Sequence, residues 1–257
     1  MRGTTTDGIV IETIADPSVN NPVAIEGLPG VGNVGKLVVD HLLEEVENTL
    51  LRRIYSEHFP PQVTLDEDGT ASLPMAEVHL TRVDKQDLLL ISGNHQAVTA
   101  VGHYRLATAI LDILETFGVE DIYAIGGMPT GEIVEDHAVI GAVSSGGLKN
   151  ALTDVGVEFR AGEPAGGVVG VSGLLLGLGG KRDLNVSCLM GETSGYVVDP
   201  HSASVVLTVI ESLVGFDISH ERLEDRAEKV EEVIQAAADS QLAQNALPND
   251  DNLRYID

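Results

Sequence analysis

The stretch Pro22–Asp40, PVAIEGLPGVGNVGKLVVD, decides the fold. It opens with a short apolar run, breaks into a loop with glycine at 27, 30, 32 and 35, and then turns amphipathic. This pattern predicts a buried strand, a tight turn and the first turns of a helix, because glycine admits positive φ and lets another backbone or a ligand come close. Strand, loop and helix in that order begin an α/β domain. Amides exposed at such a helix start can hold an anion, which makes Gly30, Gly32, Asn33 and Gly35 candidate ligand-binding residues. Gly30, Gly32 and Gly35 also spell G-x-G-x-x-G, and Glu57 follows about twenty residues past the last glycine, where a dinucleotide-binding unit keeps its ribose carboxylate. In that fingerprint the strand runs almost directly into the first glycine, whereas Glu26, Gly27, Leu28 and Pro29 lengthen this turn. The other role open to these glycines is to let strand, loop and helix pack closely.

Outward from this stretch the chain alternates. Ile9–Ile14, Pro22–Glu26, Leu50–Ser56, Glu77–Val83, Leu88–Ser92, Ile122–Ile125, Val139–Val143 and Val186–Met190 read as strands. Asn33–Glu47 is expected to be a helix with Asn33 as its cap, and His103–Phe117 a second one ending at Gly118. Pro60–Pro74, with its DEDG turn, reads as a hairpin or an excursion at the sheet edge. Strands separated by helices imply crossovers, so the expected fold is a three-layer α/β/α domain with a mostly parallel central sheet, spanning residues 1–216. The glycine-rich loops after Ile25, Ile91, Ile125, Val143 and Met190 are expected to gather at one end of that sheet. There Asn94, Thr130 and Glu192 would join the glycine-loop amides around a phosphate or a sugar.

The C-terminal part has another character. Ser202–Val214 reads as a compact apolar helix, and residues 217–246 hold a long charged one. Ser219 suits its cap, with Ile218 and Leu223 as a hydrophobic staple, and Leu223, Ala227, Val230, Ile234 and Ala237 form a narrow apolar seam. That seam lies either on the α/β body or on a neighbouring subunit. Residues 247–257 form a polar tail that turns apolar only at Leu253, Tyr255 and Ile256. Ten extended residues reach roughly 30 Å, so the tail can carry a tyrosine and its terminal carboxylate into a pocket on another protein.

Composition narrows the function. Forty acidic against 15 basic residues give a formal net charge of −25, yet the hydrophobic fraction of 43% is too high for a disordered acidic chain. An ordinary core under a lysine-poor acidic surface suggests adaptation to concentrated salt. The same surface excludes duplex nucleic acid as a partner, because no basic stripe can neutralise phosphates. The glycine-rich run from Gly167 is too short to span a bilayer, and the N-terminus shows no signal-peptide pattern. With one cysteine, Cys188, sitting in an apolar strand, a reducing cytoplasmic compartment and an inert buried thiol are expected. His95 is the best candidate for a functional histidine, and Glu132, Glu135 and Asp136 are candidates for acid and base work if a pocket adjoins them. No G-x-S-x-G elbow, phosphate-binding G-x-x-x-x-G-K-[ST] loop or H-E-x-x-H helix occurs, which points away from an enzyme; no metal or other cofactor is expected.

The order of GLPGVGNVGK at 27–36, GNHQ at 93–96, GGMPTGE at 126–132, GVSGLLLGLG from 170, CLMGETSGYVVDP at 188–200 and the closing NLRYID resembles the PAC2 family, the archaeal branch of the proteasome assembly chaperones. The resemblance covers residues 8–257. It implies an α/β/α fold similar to purine nucleoside phosphorylases without their activity, a homo-oligomer, and contact with α subunits of the 20S proteasome. In related proteasome partners a C-terminal hydrophobic-tyrosine-any-residue ending docks between α subunits. Here Tyr255 stands third from last and Ile256 second, so the resemblance carries the docking role to Leu253, Tyr255, Ile256 and Asp257 with that shift. The runner-up reading is a nucleotide- or nucleoside-binding enzyme using the glycine loops.

Overall fold

A computed structural model of the chain describes residues 4–164, 166–230 and 232. One nine-stranded sheet runs through it, in the order β1-β2-β4-β7-β8-β3-β9-β11-β10. At its centre β8 (Gln86–Gly93), β3 (Val23–Glu26), β9 (Asp121–Pro129) and β11 (Asn185–Thr193) are parallel. The helices that follow β3, β8 and β9 in sequence provide the crossovers that this parallel core requires. The wings are antiparallel: β1 (Thr4–Thr6), β2 (Ile9–Thr13), β4 (Asn48–Ser56) and β7 (Ala76–Val83) on one side, β10 (Val139–Val143) on the other. No helix lies between β4 and β8, so β7 returns beside β8 through the two-residue turn Asp84-Lys85, with Asp84 at φ 53°. The 60–74 excursion holds a small separate hairpin, β5 (Thr64–Leu65) with β6 (Ala71–Ser72).

Runs such as Leu88–Ile91 are apolar throughout because both sheet faces are covered. Leu89 and Ile91 face one core with Ala24, Ile122 and Cys188, beneath α2 (Ala100–Thr116) and α4 (Gly170–Gly180). Leu88 and Leu90 face the other with Ile25, Ile125 and Leu189, beneath α1 (Val34–Glu45) and α5 (Pro200–Val214). This is the three-layer α/β/α arrangement. A short helix, α3 (Lys149–Asp154), follows β10.

Several boundaries differ from the sequence reading for local reasons. The second helix begins at Ala100, three residues early, because Thr99 caps it by accepting from the Gly102 amide at 3.0 Å. Asn33 does precede α1, but in a left-handed conformation, and its side chain caps nothing. The run from Gly170 is a helix that periodicity did not disclose, since it is apolar on every side; its Gly179 lies against Val186. Among the described residues no helix is long and apolar enough to cross a membrane.

Residues 221–230 are helical, beginning just after Ser219, whose hydroxyl accepts from the Glu221 amide at 3.3 Å. Leu223 is buried in the α1–α5 core, and Ala227 is buried one turn further on. Arg226 is paired with Glu44 at 2.8 Å and Arg222 with Glu45 at 3.0 Å, tying this segment to α1. The described part of the apolar seam therefore lies on its own body. Residues 233–257, including Ile234, Ala237, Leu253, Tyr255, Ile256 and Asp257, lie outside the described residues.

Candidate functional site

The loops that follow β3, β8, β9 and β11 meet at one end of the parallel core. Gln96 of the β8 loop donates to the Pro29 carbonyl at 2.6 Å and accepts from the Val171 amide at the start of α4. The Thr130 amide donates to the Thr193 carbonyl at 2.9 Å, and the Asp199 amide to the Gly32 carbonyl at 2.9 Å. The SSGG loop after Val143 is the exception: β10 runs antiparallel to β11, so Val143 pairs with Ser187 and the loop falls at the opposite end.

The sequence candidates take different places in this cluster. Gly32 adopts φ 60° and presses on Thr193, and Gly35 abuts the Ile125 carbonyl, so both are occupied by contact with the protein itself. Gly30 and Asn94 are exposed, and Asn33 is half-buried. Thr130 is exposed and closes its own turn, donating to the Glu132 carbonyl at 2.8 Å. Glu192 faces away from the glycine loop, pairing with Arg160 at 2.5 Å and accepting from the Ala138 amide at 3.3 Å. Glu57 lies beyond β4, which two strands, β7 and β8, separate from β3; it stands 3.7 Å from Arg105. A dinucleotide unit instead sets the strand after its first helix beside the first strand. His95 bonds Gln62 at 2.7 Å, and Glu132, Glu135 and Asp136 are exposed on their loop. Cys188 is wholly buried, and burial, with Glu26 nearby, pushes its thiol up and out of reach of nucleophilic chemistry.

Two carboxylates matter more than the sequence suggested. Glu26 ends β3 and is wholly buried, accepting from the Leu28 amide at 3.0 Å and from the Ser172 hydroxyl at 2.9 Å. Burial pushes its carboxyl up to about 7, against the smaller opposing pull of those two hydrogen bonds. The signal was a carboxylate closing an otherwise apolar central strand, which the glycines after it overshadowed. Asp199 caps α5, accepting from the Ser202 amide at 2.9 Å, with His137 Nε2 at 3.4 Å. Burial raises the Asp199 carboxyl, but His137, the Ser202 amide and Thr193 outweigh it and hold it below the usual range. Replacing Asp199 with alanine should cost about 1–2 kcal/mol, read as a lower denaturation midpoint, because it removes this cap. An unchanged midpoint would mean that the cap contributes nothing.

Among the described residues, no cluster of His, Cys, Asp and Glu is arranged to hold a metal ion. The geometry defines a three-layer α/β/α protein whose strand-end loops are fastened to one another, with the buried Glu26 and the half-buried Asp199 at the fastenings. The chain belongs to the PAC2 family, whose family model matches residues 24–238. An uncharacterized protein of Methanocaldococcus jannaschii is 35% identical over 243 residues, 93% of each chain. The crystal structure of Pyrococcus furiosus PbaB, described as an archaeal proteasome activator, is similar with a TM-score of 0.86 and 30% identity, over 91% of this chain and 100% of that one. Pyrococcus furiosus PbaA, described as an archaeal homolog of proteasome-assembly chaperone, matches with a TM-score of 0.74 and 26% identity, over 91% and 94% of the two chains.

Proposed function

We propose that this protein is a non-enzymatic partner of the 20S proteasome, an activator or assembly chaperone, working as a homo-oligomer that contacts proteasome α subunits. The observation that carries this reading is the likeness to PbaB, which spans all of that chain and 91% of this one. Leu253, Tyr255, Ile256 and Asp257 supply part of the contact. Several such segments on one oligomer gain from effective concentration, so each can be weak alone. Residues 222–227, fastened to α1, hold the base of the C-terminal segment at a fixed place on the body.

The test is co-purification with 20S particles, comparing the full-length protein with a version ending at Pro248, in concentrated salt. The two described cores end at Leu223, so the shortened protein should fold and keep its melting temperature. Retention of the full-length protein alone supports the C-terminal contact. Retention of both moves the interface to the body, and retention of neither overturns the proteasome reading.

A further inference from the structure

A groove of about 1010 Å³ lies between β10 and residues 155–160 on one side and α5 with residues 223–224 on the other. Its floor is apolar: Val139, Val209 and Leu223 are buried, and Val155 and Val205 half-buried. Its rim is acidic. Glu158 and Glu192 are neutralised by Arg160, at 2.8 and 2.5 Å, but Glu135, Asp136 and Glu224 are exposed and have no ion pair among the described residues.

From this groove we infer a docking site for a basic amphipathic helix of a partner protein. The floor favours apolar side chains by burial, and three uncompensated carboxylates select lysine or arginine beside them. A second copy of this chain is a poor occupant, since it brings a net charge of −25 to an acidic rim. An extended segment cannot add to the sheet here. The β10 edge is already taken by residue 158: the Gly141 amide donates to the Glu158 carbonyl at 2.8 Å, and the Glu158 amide to the Val139 carbonyl at 2.8 Å. A helix laid across the floor, with its apolar face inward, satisfies both constraints. This site does not depend on the C-terminal contact proposed above.

The test measures fluorescence anisotropy of a labelled amphipathic Leu/Lys helical peptide titrated with the full-length protein, at roughly 0.15 M and roughly 1 M salt. Saturable binding is expected, weaker at high salt but retained. The double variant Glu135→Lys with Glu224→Lys should weaken it at least tenfold. The variant Glu67→Lys with Asp68→Lys, on the exposed β5–β6 turn, makes the same charge change elsewhere and should leave it within about twofold. Equal weakening by both variants would reduce the effect to net charge and overturn the site. Absence of binding, or equal binding of an Ala/Lys peptide of the same charge, would overturn it as well.

Discussion

Gly27→Ala should destabilise the protein by at least about 3 kcal/mol, while Gly30→Ala, three residues on in the same loop, should change stability by less than about 0.5 kcal/mol. The difference is geometric. A methyl on Gly27 would be driven into the carbonyl oxygen of Gly35 and would stand 2.7 Å from Val39 Cγ2, at the point where α1 crosses the end of β3. Neither side can retreat. Gly35 is itself pressed on the Ile125 carbonyl of β9, so moving α1 outward would open the core formed by Val34, Val38 and Leu42. At Gly30 the nearest atom to an added methyl is the Leu28 oxygen at 3.9 Å, and φ is −156°, an extended value open to any residue. Losing 3 kcal/mol from a domain whose whole stability is about 5–15 kcal/mol leaves a protein that unfolds early in urea. Matching urea midpoints for the two variants would show that the motif is not a packing device.

The same motif shows what the sequence could and could not disclose. Strand, glycine loop and helix were legible from residues 22–40 because burial of β3 on both faces keeps it apolar up to Glu26, and the crossing of α1 demands glycine. Loops gathering at the parallel strand ends followed from strand direction, and it was strand direction that misled for the SSGG loop: nothing local in Val139–Val143 says that it pairs antiparallel with β11. The antiparallel wing was hidden likewise, since Asp84-Lys85 is not among the commonest hairpin turn pairs. Helix α4 escaped because its residues are apolar or glycine nearly all round, so no polar stripe sets its period. Glu26 and Asp199 were illegible as key groups because their importance lies in contacts with Ser172 and His137, residues distant in sequence.

Glu26→Gln is expected to stabilise the protein at pH 8 by about 2 kcal/mol and to leave it nearly unchanged at pH 4. In the folded protein the Glu26 carboxyl titrates near 7, against 4.5 in its ordinary state. Below 4.5 the group is protonated in both folded and unfolded chains and its contribution is fully present. As pH rises toward 7 the unfolded chain releases its proton first, so stability falls; above 7 both states are ionised and the loss is complete. A shift from 4.5 to about 7 is worth about 3 kcal/mol, of which the hydrogen bonds that favour the charged form are forfeited in the variant. Glutamine has the same shape. Its amide oxygen can accept from the Leu28 amide and its nitrogen can donate to the Ser172 hydroxyl, whose own proton is then free to turn elsewhere. Chemical denaturation of both proteins across pH 4–8 isolates the effect, because other titrating groups cancel in the difference between them. A difference that stays flat across that range would show that the Glu26 carboxyl titrates alike in the folded and unfolded chains. Its two hydrogen bonds would then offset the whole cost of its burial at the end of the central strand.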